Sequence, residues 1–492
     1  MGLSANATAI CDLDAEIRDL QILRNSKLPF FHLPLEICVF IFSLACHHGR
    51  LPEKRGSEPL VTTPFVISSV CHAWCVMARS TPKLWSSISL RVRPTQKESE
   101  IQAKLLDQWL CLARSLPLSI TMTVDWNEAR QLESNPSALM AVAASRSHQW
   151  ESLDFFGPSI WAEILKSKMG PVSNLKSLDL KLFNKFRDTA ESPFSSMFLD
   201  APKLRTVTIS YEDTDVGLPY HQLEELTVWG YIHTPDFVTF LNKCMNLTFC
   251  RIQTDRDVSQ WTRANTGRRM FVNLPKVVTL EIMAWHLGWL LGYFLAPALE
   301  SITIPLMRSI DIEAFLAFLT HSNVVLKQLT IVDHTPREEE SLLKMLDALA
   351  HLTHLELDEL HVILPFPQDK VHWLPSRTFF DYLATPNTLS GGSGLPMPRL
   401  ISFKYRGRFH NSENDTVDVD ALENMLLARW NANLSAGASR LQRFSMSIIN
   451  SPESVAELER SPVVKELRKE GMHLAFNLAK ERMHRRIFDY RD

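Results

Sequence analysis

Past residue 90 one spacing of apolar positions recurs along the chain, apolar-x-x-apolar-x-apolar. It appears as Trp150-Leu153-Phe155, Leu175-Leu178-Leu180, Leu204-Val207-Ile209, Leu223-Leu226-Val228, Leu247-Cys250-Ile252, Val277-Leu280-Ile282, Leu299-Ile302-Ile304, Leu326-Leu329-Ile331 and Leu352-Leu355-Leu357. Leu400-Phe403-Tyr405 and Leu441-Phe444-Met446 follow after longer gaps. The alternation in the last three positions predicts a short strand whose middle and final apolar residues point inward, while the residues between and beside them face out. An Asn or Pro often stands a few residues ahead. Successive middle positions from 153 to 355 lie roughly 19 to 30 residues apart, the spacing of a stacked repeat. Between the strands run capped helical patterns: Thr234-Pro235-Asp236 before FVTFLNKC, Asp311 before IEAFLAFL, and Thr335-Pro336-Arg337-Glu338 before SLLKMLDAL. Neither face of one strand-helix pair is buried alone, so the units are expected to stack, with a parallel sheet on a concave side and helices behind.

Ahead of the array the period changes to that of helices. Ile37, Phe40, Ile41 and Leu44, then Ile67, Val70, Cys71 and Trp74, follow the i, i+3, i+4, i+7 rule. Pro34, Thr63-Pro64 and Ser80-Thr81-Pro82 mark helix starts. Residues 12–24 place Leu13, Ile17 and Leu20 on one stripe and predict a short lead-in helix, with fewer than two heptads of a coiled coil. Residues 99–116 predict an amphipathic helix through Ile101, Leu105, Leu106, Trp109 and Leu112, and LPLSITMTVD predicts a strand. Residues 282–299 are apolar for about the length of a short membrane span, but His286 and Pro297 interrupt them, so residues 285–295 read as a buried helix. Ser461-Pro462 starts a basic amphipathic pattern through Val464, Leu467, Met472, Phe476 and Met483, expected as a C-terminal helical cap over residues 461–492.

At 492 residues the chain exceeds what one core supports, so an elongated array or several units are expected. A net charge of −3 gives no footprint for nucleic acid or an anionic membrane. The eight cysteines form no Cys-x-x-Cys pair, and the N-terminus has no basic segment leading into an apolar core. Reduced, mostly buried thiols in the cytoplasm or nucleus are the expectation.

Leu33, Pro34, Glu36, Ile37, Ile41, Val70, Cys71, Trp74, Ala78, Pro82, Leu84 and Trp85 stand in the order of an F-box, and the module resembles that family. Its ending, STPKLWSSISL, is similar to F-box proteins of mushroom-forming fungi. Cys38 stands where the family usually has a bulky aliphatic residue, and residues 43–62 separate the first helix from the second. The recurring strand motif is similar to a degenerate leucine-rich repeat, with Asn184 the candidate for its buried Asn. Together the resemblances imply an α/β fold: an N-terminal all-α F-box followed by an irregular leucine-rich-repeat-like solenoid with a parallel sheet and outer helices. The expected organisation is a lead-in helix (1–32), the F-box (33–90), a linker helix and first strand (91–149), the array (150–460) and the cap (461–492).

The F-box resemblance implies a non-enzymatic substrate-recognition subunit of a cullin-RING (SCF-type) ubiquitin ligase. Its partners would be an adaptor protein, through it a cullin, and a protein substrate. The adaptor face would comprise Leu33, Pro34, Glu36, Ile37 and Ile41, with Val70, Cys71, Trp74, Leu84 and Trp85 shaping or supporting it. The alternative is a protein-binding scaffold working outside any ligase. On the array, period two nominates Asp179, Trp229, Arg251, Glu281, His354, Glu356, Asp358, Lys404 and Arg406 for the substrate face, with Asp154, Lys181, Thr208, Thr227, Thr303, Thr330 and Arg443 beside them. Trp229 is the expected aromatic anchor. Acidic character at Glu356 and Asp358 is expected to give way to basic character at Lys404 and Arg406.

Catalytic patterns are weak. Gly391-Gly392-Ser393-Gly394 lacks the Lys-Ser/Thr of a phosphate loop. Cys46-His47-His48 lacks paired metal-ligand spacing, and although His351, His354, Glu356, Glu359 and His361 crowd one repeat, period two puts His354, Glu356 and Asp358 on the exposed face of a strand, where polar residues belong without a metal. No cofactor is implied.

Overall fold

The structure is a computed structural model. It describes residues 2–47, 64–93, 95–124, 136–183, 196–210, 216–230, 234–254, 271–284, 287–305, 309–332, 339–359, 375–386, 395–408, 417–432, 438–449 and 452–478. The long connection at 48–62, Asn184, His286, the cap at Thr335-Glu338, His361, the glycine-rich loop at 391–394 and Met483 lie outside the described residues. The fold is α/β, and its strands pair in parallel. The chain divides into two compact units between Lys203 and Leu204, inside the expected array and not at residue 90 or 149.

The first unit opens with α1 (Gly2–Ser26), a 3-10 turn (Pro29–His32), α2 (Leu35–His47), α3 (Pro64–Val70), α4 (His72–Ser80) and a second 3-10 turn (Pro82–Trp85). Strand β1 (Ser87–Arg91), helix α5 (Gln96–Ala113), β2 (Leu118–Thr123), α6 (Ser137–Ala144), β3 (Trp150–Pro158), α7 (Ser159–Lys168) and β4 (Ser177–Phe183) follow, and the strands lie in the order β1-β2-β3-β4. Helix α5 begins three residues earlier than its apolar stripe suggests. Thr95 Oγ1 accepts from the Glu98 N–H at 3.3 Å and donates to the Glu98 carboxylate at 2.6 Å. Its buried side is Ala103, Leu106, Trp109, Leu110 and Ala113, whereas Ile101 and Leu105 are exposed.

In the second unit strands β5 (Thr206–Ser210), β6 (Glu225–Trp229), β7 (Phe249–Gln253), β9 (Thr279–Met283), β11 (Ser301–Pro305), β12 (Gln328–Val332), β13 (His354–Asp358), β14 (Ser402–Arg408), β15 (Arg443–Ile449) and β16 (His473–Leu478) lie in chain order. Short β8 (Val272–Asn273) pairs apart with β10 (Phe294–Leu295). The helices are α8 (Thr234–Asn242), α9 (Leu287–Leu291), α10 (Ser309–His321), α11 (Glu339–Asp347), α12 (Arg377–Ala384), α13 (Val419–Trp430), α14 (Pro452–Arg460) and α15 (Pro462–Lys469). The expected eleven-residue buried helix shrinks to α9, with Leu287, Leu290 and Leu291 buried, before the chain turns into β10. Among the described residues no helix is long and apolar enough to cross a membrane.

The motif's middle and last positions are interior throughout: Leu226, Val228, Cys250, Ile252, Leu280 and Ile282, for example, are all 0% exposed. One backbone device repeats with them. In the second unit, from β6 to β15 of the main sheet, two consecutive N–H groups entering each strand donate to a single carbonyl at the entry of the strand before, as Thr248 and Phe249 do to Glu224 O and Val278 and Thr279 to Thr248 O. The Asn ahead of some motifs ties the same edge: Asn174 Nδ2 donates to His148 O (2.9 Å) and Asn246 Nδ2 to His221 O (2.6 Å). Strands β14 and β15 continue in register from β13, so the last motif copies belong to the same sheet.

The C-terminal expectation is corrected. Helix α15 stops at Gly471, whose φ of +103° suits a residue without a side chain, and the chain becomes strand β16 paired to β15. Leu474 and Phe476 are its buried residues, and Phe403, Phe444 and Phe476 form a cross-strand row with ring centres 5.4 and 6.0 Å apart.

The buried Arg429 of α13, which follows β14, donates to three backbone carbonyls that precede that strand: Leu383 (2.7 Å), Pro396 (2.6 Å) and Met397 (3.2 Å). Burial lowers its pKa to about 10, so it stays charged at neutral pH. Arg429→Met would strand buried carbonyls without donors. It is expected to lower unfolding free energy by roughly 2–5 kcal/mol in chemical denaturation, and an unchanged midpoint would contradict this role.

Candidate docking site

In the first unit, α2 is apolar on nearly every side and buries only one. Cys38 and Phe42, one turn apart, are 3% and 1% exposed. Phe42 lies against Phe30 (5.7 Å between ring centres) and Trp74 (4.9 Å), and Phe30 meets Trp74 at 4.8 Å. Cys38 fits because a small thiol reaches the carbonyls of the preceding turn, Phe30 O and Leu33 O. The Pro34 carbonyl starts the helix by accepting from the Ile37 and Cys38 N–H groups.

The other side of the helix faces out. Pro34 and Glu36 are exposed, and Leu33, Leu35, Ile37, Phe40, Ile41 and Leu44 keep 39–60% of their surface. The stripe Ile37-Phe40-Ile41-Leu44, which periodicity alone would turn inward, is therefore the exposed one. Val70 at the end of α3 is also exposed (58%), while Cys71 and Trp74 are half-buried. Exposed apolar side chains gathered along one helix face are the kind of surface through which proteins dock partners.

Leu84 and Trp85, expected to shape or support that surface, are interior at 1% and 0% exposure, so neither offers a contact of its own to a partner. Trp85 Nε1 donates to Ala78 O (2.8 Å), and Trp109 Nε1 donates to Trp85 O (2.7 Å). With Phe65 the two indoles form an edge-to-face triad that fastens α3 and α4 to α5.

The nominated sheet residues fall into ladder rows. Within the second unit Thr208, Thr227, Arg251, Glu281, Thr303, Thr330, Glu356 and Lys404 occupy one row, each opposite the next. His354 and Arg443 sit in the row before, joined through Ser402; Asp358 and Arg406 sit in the row after. Charges are paired across neighbouring strands instead of graded: Arg251–Glu281 (2.5 Å), Lys404–Glu356 (2.5 Å) and Arg406–Asp358 (2.8 Å).

Trp229 and Asp358 are further corrections. They are 7% and 5% exposed, because strands β6 and β13 end on two successive buried residues, so alternation fails at their last position. Trp229 is not an outward anchor. His354 is pushed down by burial and then by Arg443, whose guanidinium approaches Nε2 at 3.2 Å. That contact follows from register and was not visible in sequence spacing.

Asp179 belongs to the first unit, directly opposite Asp154. Lys181 Nζ meets Asp179 Oδ2 at 2.7 Å. Burial, with Asp179 adding to it, raises the Asp154 carboxyl to about 6 despite the opposing pull of Lys181.

Reactive groups are quiet. Burial raises the thiols of Cys46 and Cys244 to about 11 and about 12 and that of Cys250 higher still. Only Cys38, Cys244 and Cys250 are buried among the described cysteines, fewer than expected, and Cys111 is exposed. Among the described residues no group of three or more His, Cys, Asp and Glu is placed to hold a metal ion. Compared with models of known families and with curated proteins, the chain matches none.

Because the folded-state pKa of Asp154 lies above its ordinary 3.8, its ionisation works against folding as pH rises from there to about 6. Asp154→Asn is expected to raise stability at pH 7 and to flatten the pH dependence across that window, read by denaturation at pH 4 and pH 7. A mutant less stable than wild type at pH 7 would contradict the assignment.

Proposed function

We propose that the protein is a substrate-recognition subunit of a cullin-RING ubiquitin ligase, its α2 face docking an SCF-type adaptor. The observation that carries the reading is the outward apolar side of α2: Pro34, Ile37 and Ile41 are the residues that the F-box resemblance assigns to the adaptor, and all three are exposed. Leu33 and Val70 supply further exposed apolar area beside them, and Glu36 adds a carboxylate. Leu84 and Trp85 act from beneath, by holding the helices in place.

Under the same proposal the ladder rows of the second unit hold a protein substrate. Threonine hydroxyls and paired ions suit hydrogen bonding to a polar surface more than capture of a greasy one. Arg251–Glu281 and Lys404–Glu356, whose cations are exposed, contribute little to stability and are readily re-partnered when a substrate arrives, whereas Asp358 of the third pair is buried.

Burying a Leu and an Ile contributes roughly 1.5–3 kcal/mol each. Leu33→Ala with Ile37→Ala is therefore expected to weaken adaptor binding by about a hundredfold or more in a direct titration, with the circular dichroism unchanged. Wild-type affinity in the double mutant would reject the adaptor assignment.

A further inference from the structure

The outermost strand of a sheet turns a row of backbone N–H and C=O groups toward no further strand, and such an edge is a template on which another chain can pair. In the second unit that strand is β16, beyond which no strand pairs among the described residues. The His473 N–H donates to Gln442 O, on the β15 side. Successive residues of a strand turn their backbone groups to opposite edges, so those of Leu474, Phe476 and Leu478 face away from β15.

One side chain occupies this edge. Arg468 of α15 donates from Nε (3.2 Å) and Nη2 (2.9 Å) to Leu474 O. The same guanidinium holds both carboxylate oxygens of Glu459 in α14, at 2.6 and 2.7 Å, and its central carbon lies 5.8 Å from the centre of the Phe476 ring. Hydrogen bonding between them raises the pKa of Arg468 and lowers that of Glu459, so both keep their charge. A planar fork clamped in this way cannot swing off Leu474 O without giving up a bidentate pair.

The first unit meets the same need with different chemistry. Its outer strand is β1, and the Val92 N–H just past it donates to Thr123 O on the β2 side at 2.7 Å, so Arg91 and Arg93 turn their backbone groups outward. Gln102 of α5 donates from Nε2 to Arg91 O (2.8 Å), and its Oε1 accepts from the Arg93 N–H (3.1 Å). A residue on a parallel neighbour makes this same pair of bonds, to the carbonyl one place before and the N–H one place after the residue it faces. The Gln102 amide therefore stands in for the backbone of one more strand.

We infer that Gln102 and Arg468 are edge guards that keep a second copy of this chain from adding a strand to β1 or β16. Each copy carries both edges, so every other copy is a chain able to pair with either. The inference does not rest on the adaptor reading, since it uses neither the α2 face nor the ladder rows.

The test is sedimentation velocity of the full chain over a dilution series, with circular dichroism of every variant. Arg468→Leu and Gln102→Leu are each expected to stay folded and to sediment faster than wild type, by a margin that grows with concentration. Leu478 is 53% exposed and its N–H lies on the open edge, so Leu478→Pro removes a donor from that edge and none from the ladder. Arg468→Leu combined with Leu478→Pro is expected to sediment like wild type. Glu459→Ala, which unclamps the guanidinium but leaves it able to reach Leu474 O, is expected to associate less than Arg468→Leu and more than wild type. Folded Leu variants that sediment as wild type does, or a wild type that associates as strongly as they do, overturn the inference. Association that persists in the double variant assigns it to another surface and overturns the role of Arg468. Loss of fold in Arg468→Leu together with a Glu459→Ala variant indistinguishable from wild type overturns that role too, and loss of fold in Gln102→Leu makes Gln102 a structural residue and not a guard.

Discussion

A helix that is apolar on all sides and packed on only one must leave a greasy surface facing water. In α2 the choice of side is made by Phe42 and Cys38, held by Phe30 and Trp74. Phe42 is too large to be accommodated twice, and Trp74 gives it one seat. Once that seat is taken, Ile37 and Ile41 are turned outward by the geometry of the helix itself, because residues three and four apart share a face. The aromatic triad of Phe65, Trp85 and Trp109 keeps this arrangement fixed to the rest of its unit. The functional reading therefore depends on packing that lies beneath the surface it explains.

The array was the most legible part of the chain. Its apolar spacing names the interior residues of every copy from Trp150 to Met446, since parallel strands bury one row per alternate residue whatever else surrounds them. The spacing does not carry strand ends. Trp229 and Asp358 sit where alternation predicts exposure and are covered instead. The sequence of strand β16 also suits a helix, because Met472 and Phe476 continue the apolar pattern of Val464 and Leu467, and only the break at Gly471 separates the two. In α2, periodicity was no guide to facing, since two interleaved apolar stripes, Ile37-Ile41 and Cys38-Phe42, satisfy the same rule.

Charge is arranged by register. Arg251 and Glu281 occupy the same motif position in successive units, as do Glu356 and Lys404, so a parallel in-register sheet places them side by side. Read along the chain they suggest a gradient; stacked, they become neutral pairs. A surface built this way presents little net field and relies on hydrogen-bonding groups for selectivity, unlike the apolar face of α2, where burial alone can drive association.

The most direct measurement of the central claim is hydrogen exchange on the full chain with and without a purified SCF adaptor. The account predicts slowed exchange across residues 33–44 and at the end of α3, with the strands of the second unit unchanged. Exchange in 33–44 that is the same with and without adaptor would contradict it.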